Sequence, residues 1–186
     1  MSTEDYVAAA TLPSTTVQGA FDTQLDATFD YAADSRIIEV HYRLRNNGAT
    51  ALAVFDRGDQ HAIGTGRQTI GDVGIPKQIA NGEDFELIHA AMPLPEPEPT
   101  SPPTPVAIEI APGAELSAHF RFALKGVIAP KRLRWCVGAM HVGDAYMDSP
   151  QDIKDSRMWR ASFAVVEKQK MLCTPWYDVA TGRFET

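Results

Sequence analysis

The chain has 186 residues, 44% of them apolar, and a formal net charge of −7. That length can bury a core without a metal or a disulfide, and the acidic balance argues against nucleic acid as the main partner. No run approaches the roughly 20 apolar residues of a membrane helix. The opening Met1-Ser2-Thr3-Glu4-Asp5-Tyr6 lacks the basic start and apolar core of a secretory signal. The chain as written therefore reads as cytoplasmic, although an exported protein stripped of its signal would look the same. Nothing in the sequence calls for a cofactor.

Residues 1–20 read as an N-terminal extension and 21–186 as a single domain. The first strand is expected over 24–31. The next is the clearest: Ile38, Val40, Tyr42 and Leu44 alternate with Glu39, His41, Arg43 and Arg45, the period of a half-buried strand. Asn46-Asn47-Gly48 follows as a turn, because Asn and Gly tolerate positive φ. A strand over 51–55 is expected to pair back onto it as a hairpin. A glycine-rich irregular stretch, 57–78, comes next, and then a strand over 84–91 in which His89 points inward as a hydrogen-bonded core residue.

Residues 93–105 hold seven prolines with Glu96 and Glu98 between them. Proline has no N–H and a fixed φ, so this stretch is read as a stiff, extended loop and not a central strand. Strands are expected over 106–110, after which Ala111-Pro112-Gly113 turns the chain, and over 116–124. Another runs through Leu133, Trp135, Val137 and Ala139. The last are expected over 158–166 and 170–173, with a short helix over 150–156. The total is about seven to nine strands with no sustained helical period, the pattern of an all-β sandwich.

Catalytic motifs are missing. The Gly64-Thr65-Gly66-Arg67 run has no following helix and no Lys-Ser/Thr, so it is read as a flexible loop and not as a phosphate cradle. Arg57-Gly58-Asp59 spells an integrin-type tripeptide that is expected by chance in a few per cent of chains this long. His61 with Asp59, and His141 with Asp144, supply ligand types for a metal-dependent hydrolase, provided the fold brings them together. Cys136 and Cys173 fit no zinc or redox spacing. They are expected to be free thiols in a cytoplasmic chain and could pair in an exported one.

The solvent-side positions of three strands carry His41, Arg43 and Arg45; His119 and Arg121; and Arg132 and Arg134. If those strands share a sheet, the residues form a cationic stripe on an acidic protein, suited to an acidic protein or anionic ligand. The competing expectation is an ordinary sheet face with each cation paired to a nearby carboxylate.

The run VHYRLRNNGATALAVFD at 40–56, followed by IAPGAELSAHFRF at 110–122, resembles bacterial immunoglobulin-like modules. Among these are the intracellular proteinase inhibitors of bacilli and adhesion-type repeats. The resemblance implies an immunoglobulin-like antiparallel β-sandwich with two long loops. The function expected first is a non-catalytic binding or interaction module. A proteinase inhibitor comes second and a metal-dependent hydrolase third.

Overall fold

The computed structural model describes residues 11–186. Along them run β1 (Ser14–Gly19), β2 (Thr23–Ala32), β3 (Ile37–Asn46), β4 (Leu52–Val54), β5 (Lys77–Asn81), β6 (Asp84–His89), β7 (Val106–Ile110), β8 (Glu115–Ala123), β9 (Arg132–His141), β10 (Met147–Ile153), β11 (Ser156–Ala161), β12 (Lys170–Cys173), β13 (Tyr177–Asp178) and β14 (Arg183–Phe184), with one short helix, α1 (Gln60–Gly64). The protein is an all-β sandwich of two sheets. The smaller sheet has the order β1-β2-β3-β8. The larger has the order β10-β11-β7-β4-β9-β13-β14, with β12 and β6 also paired to β9, and β5 to β6.

Alternation makes the dry interior. Leu25 and Phe29 on β2, Ile38, Val40 and Leu44 on β3, and Phe120 and Phe122 on β8 face Leu52 and Val54 on β4 and Leu133, Trp135 and Val137 on β9. The outer face of the smaller sheet stays polar, as period-two patterning requires. The larger sheet is covered on both sides at one end. There the segment after β9 and the turn at 163–167 lay Met147, Ala161 and Val165 over Ala53, Phe55, Ala107 and Met140. This second layer explains why Met140, on the outward face of β9, is buried.

Three expectations are corrected. First, β3 and β4 are not a hairpin. β3 pairs with β2 and β8, while β4 crosses to the larger sheet between β7 and β9. Every residue of β4 is buried, so it needs neighbours on both edges and cover on both faces. Asn46 holds the corner: its Nδ2 donates to the carbonyls of Thr50 and Ile110, and its Oδ1 accepts from the Gly48 amide. Second, the expected helix at 150–156 is the β10–β11 hairpin. Its turn residues Lys154 and Asp155 adopt φ of 46° and 61°, and Pro150 sits at the bulge between Asp148 and Gln151. Proline is tolerated at such an edge position because no ladder N–H is lost there.

Third, Cys136 and Cys173 are not free thiols but a disulfide. Cys173 lies directly opposite Cys136 in the β12–β9 register. The Thr174 amide donates to the Trp135 carbonyl at 2.9 Å, so the neighbouring pair is the non-hydrogen-bonded one. Opposed side chains approach closest at such pairs.

Candidate functional site

The cationic stripe does not exist as one surface. β3 and β8 share the smaller sheet, but β9, with Arg132 and Arg134, belongs to the other. Nearly every cation is also paired. Arg43 donates to Asp26 at 2.9 Å and Arg45 meets Glu115 at 3.1 Å. Arg132 reaches Asp84 and Glu185, and Arg134 reaches Glu86. Asp84 and Glu86 stand directly opposite these arginines because β6 runs parallel to β9 in that register. The hydrogen bonds from Arg132 hold the Asp84 carboxyl below its usual range, with burial opposing. Trp176 stacks on both guanidinium groups, 4.8 Å from Arg132 and 4.5 Å from Arg134. His41 is bound to Glu39 at 3.0 Å, and its ring stacks on His119 across the strand pair at 5.2 Å. Arg121 alone of the seven candidates makes neither an ion pair nor a ring stack among the described residues, although Glu39 is its cross-strand neighbour.

The metal candidates do not converge. Asp59 caps α1, its Oδ1 accepting from the Ala62 amide, and bridges to Pro105 ahead of β7. His61 lies on that helix. His141 pairs with Leu52, which itself opposes Ile110 at the far end of β7, and its ring packs on Phe21. Asp144 is exposed in the turn that follows β9. Among the described residues no three His, Cys, Asp or Glu side chains come close enough to hold a metal ion.

What the fold does assemble lies along β8, the free edge of the smaller sheet. Leu124 donates to Arg36 and Asn46 to Ala114, which fixes the even-numbered residues of β8 as those bonded to β3. The amides and carbonyls of Ser117, His119 and Arg121 therefore point away from the sheet. No hydrogen bond among the described residues reaches them. Facing this edge is the glycine-rich segment 71–76, and between the two runs a groove of about 470 Å³ lined by Arg57, Val73, Ile75, His119, Phe120 and Arg121, among others.

A buried polar seam holds the far wall of that groove. The Tyr42 hydroxyl donates to Asp56 Oδ2 at 2.5 Å, and Arg57 Nε faces Asp56 Oδ1 at 3.2 Å. Burial, reinforced by the Asp56 charge, raises the Tyr42 hydroxyl well above its ordinary pKa. Arg57 Nη1 donates to the Gly71 carbonyl, and the Gly74 amide donates to the Asp56 carbonyl. His89 completes the anchor. Its Nε2 donates to the Gly74 carbonyl at 2.7 Å while its Nδ1 accepts from Trp135 Nε1 at 2.9 Å. With both nitrogens so engaged and the ring buried, His89 is neutral, and desolvation lowers its pKa below 6.5. Glycine is required at 74, because a Cβ there would lie 2.8 Å from the Gly58 backbone.

The alternation pattern finds His119 and Arg121 but misses Asp56 and Arg57, which sit just past the end of β4. One signal pointed to them. Tyr42 occupies a core position on β3, and a buried hydroxyl needs a partner. The Arg57-Gly58-Asp59 tripeptide is not displayed as a unit, since Asp59 is committed to capping α1. No family model matches the sequence, and no curated protein or solved structure matches it. No helix among the described residues is long and apolar enough to cross a membrane.

Proposed function

We propose that this chain is a non-catalytic interaction module of immunoglobulin-like architecture that binds an extended segment of a partner polypeptide as an added strand on β8. One observation carries the reading: β8 is nine residues long and lies at the end of its sheet, with the outward amides and carbonyls of Ser117, His119 and Arg121 unpaired among the described residues, beside a groove. Such an edge is a template for strand addition, in which main-chain bonds supply affinity and alternate side chains supply specificity. Sheet proteins ordinarily blunt an edge of this length by burying or shortening it. Here the facing segment 71–76 is held apart from β8 by bonds to His89 and Asp56 rather than closed onto it. The Cys136–Cys173 bridge favours work in an oxidising compartment over the cytoplasm.

The test is panning of a displayed library of random peptides against the purified protein, followed by measurement of the selected peptides against Ser117→Pro. The Ser117 N–H points outward, so proline removes a donor to the added strand and leaves the β3–β8 ladder intact. Selected peptides should bind the parent chain and lose at least about tenfold in affinity for the variant. Failure to select any peptide, or equal binding to Ser117→Pro, sinks the reading.

A further inference from the structure

The groove beside β8 is selective as well as open. Arg57 lies on its inner side, where Asp56 and the Gly71 carbonyl hold the guanidinium from two directions. Its Nη2 makes no hydrogen bond among the described residues. A planar guanidinium clamped in this way keeps its remaining donors oriented for a carboxylate without further loss of rotamer freedom. Arg121 stands on the opposite, solvent face of the same edge, with no ion pair of its own among the described residues. Between them the walls are apolar, formed by Phe120, Val73 and Ile75, the last 79% exposed. Among the described residues, Asp72 is the one acidic residue on the lining.

Successive side chains of a strand point to opposite faces. Two cations on opposite faces of one edge are therefore matched by acidic residues at adjacent positions of the added strand, or at positions separated by another odd number. We infer that the segment bound at β8 carries two carboxylates an odd number of residues apart, one paired with Arg57 and the other with Arg121, with apolar side chains beside them. This rests on the strand-addition reading above and narrows its partner to an acidic, extended polypeptide.

The peptides selected from the random library decide it. Enrichment of Asp and Glu in that spacing is expected, and exchanging either acid for its amide should weaken binding about tenfold. Arg121→Gln should erase the preference for one acid and Arg57→Lys the preference for the other, since lysine keeps the charge but not the fork. The unfolding midpoint of Arg57→Lys is measured alongside. If that variant does not fold, the acid-to-amide exchanges and Arg121→Gln decide alone. Selected peptides that bind with no acidic preference would overturn this inference and leave strand addition standing. Acid-dependent peptides that ignore Ser117→Pro would overturn strand addition itself.

Discussion

Arg43 and Arg57 each face an aspartate, yet they do different things for the molecule. Arg43 lies on the outer face of the smaller sheet, where its contact with Asp26 is open to water. There the exchange of solvent bonds for protein bonds yields little. Asp26 is nonetheless held below its ordinary pKa. Burial pushes it up, but hydrogen bonds from Thr16, Arg43 and Gln24 outweigh that. Asp56 is wholly buried and Arg57 almost so, 0% and 6% exposed at their side chains, with Arg57 on the lining of the groove. Neither can be left alone there, because an unpaired charge cannot recover its hydration. The surface pairs shape a face. The buried pair positions a loop, and through it the width of the groove beside β8.

That contrast is broken most severely by removing one buried partner. Asp56→Asn strands Arg57 and should cost about 3–5 kcal/mol, read as a lower midpoint in urea. Replacing both partners, Asp56→Leu with Arg57→Met, should cost less than Asp56→Asn alone. A larger loss from the double change would show that the pair contributes more than mutual neutralisation. Next in size is the cystine on the far side of the sandwich. Cys136→Ala with Cys173→Ala should lower stability by about 2–4 kcal/mol, and peptide binding at β8 should be unchanged. A thiol assay on the parent protein without reductant should find no reactive sulfhydryl.

The pH dependence of the seam gives a smaller effect of known sign. His89 is neutral when folded and has its pKa lowered from 6.5, first by burial, with the Gly74 bond opposing. As pH falls through 6.5 the unfolded chain takes up a proton that the folded chain refuses. Stability present above that pH is therefore lost progressively below it. His89→Gln, which can still donate and accept, should flatten the loss between roughly pH 7 and roughly pH 5, whatever it costs at neutrality. A slope unchanged by this substitution would move the effect to another group. Least of all, Arg43→Ala should leave the thermal midpoint within error, and a measurable drop would mean that the outer face is more than a solvated surface.

Period-two alternation was enough to locate β2, β3, β6, β8 and β9, because a half-buried strand writes its own inside and outside into the chain; β7, buried on nearly every side chain, was marked instead by the Ala111-Pro112-Gly113 turn that ends it. It also marked His89 as inward-pointing, and His119 and Arg121 as exposed. Other strands were harder to see. β5, which pairs with β6 as a hairpin, is announced only by Asn81-Gly82. β1, β10, β13 and β14 are edge or very short segments whose faces are too little buried to impose a pattern.

The sequence by itself settled which face of each long strand turns to the sandwich interior, since that depends only on neighbours along the chain. Which sheet a strand joins depends on residues far away in sequence. For that reason β4 crosses to the larger sheet, Cys136 finds Cys173, and Arg132 and Arg134 leave the company of Arg121. The meeting of Arg57 with Asp56 under Tyr42, and of segment 71–76 with the edge of β8, is likewise long-range. Burial turns that meeting into a fixed geometry, because a buried charge holds its place only beside an opposite one.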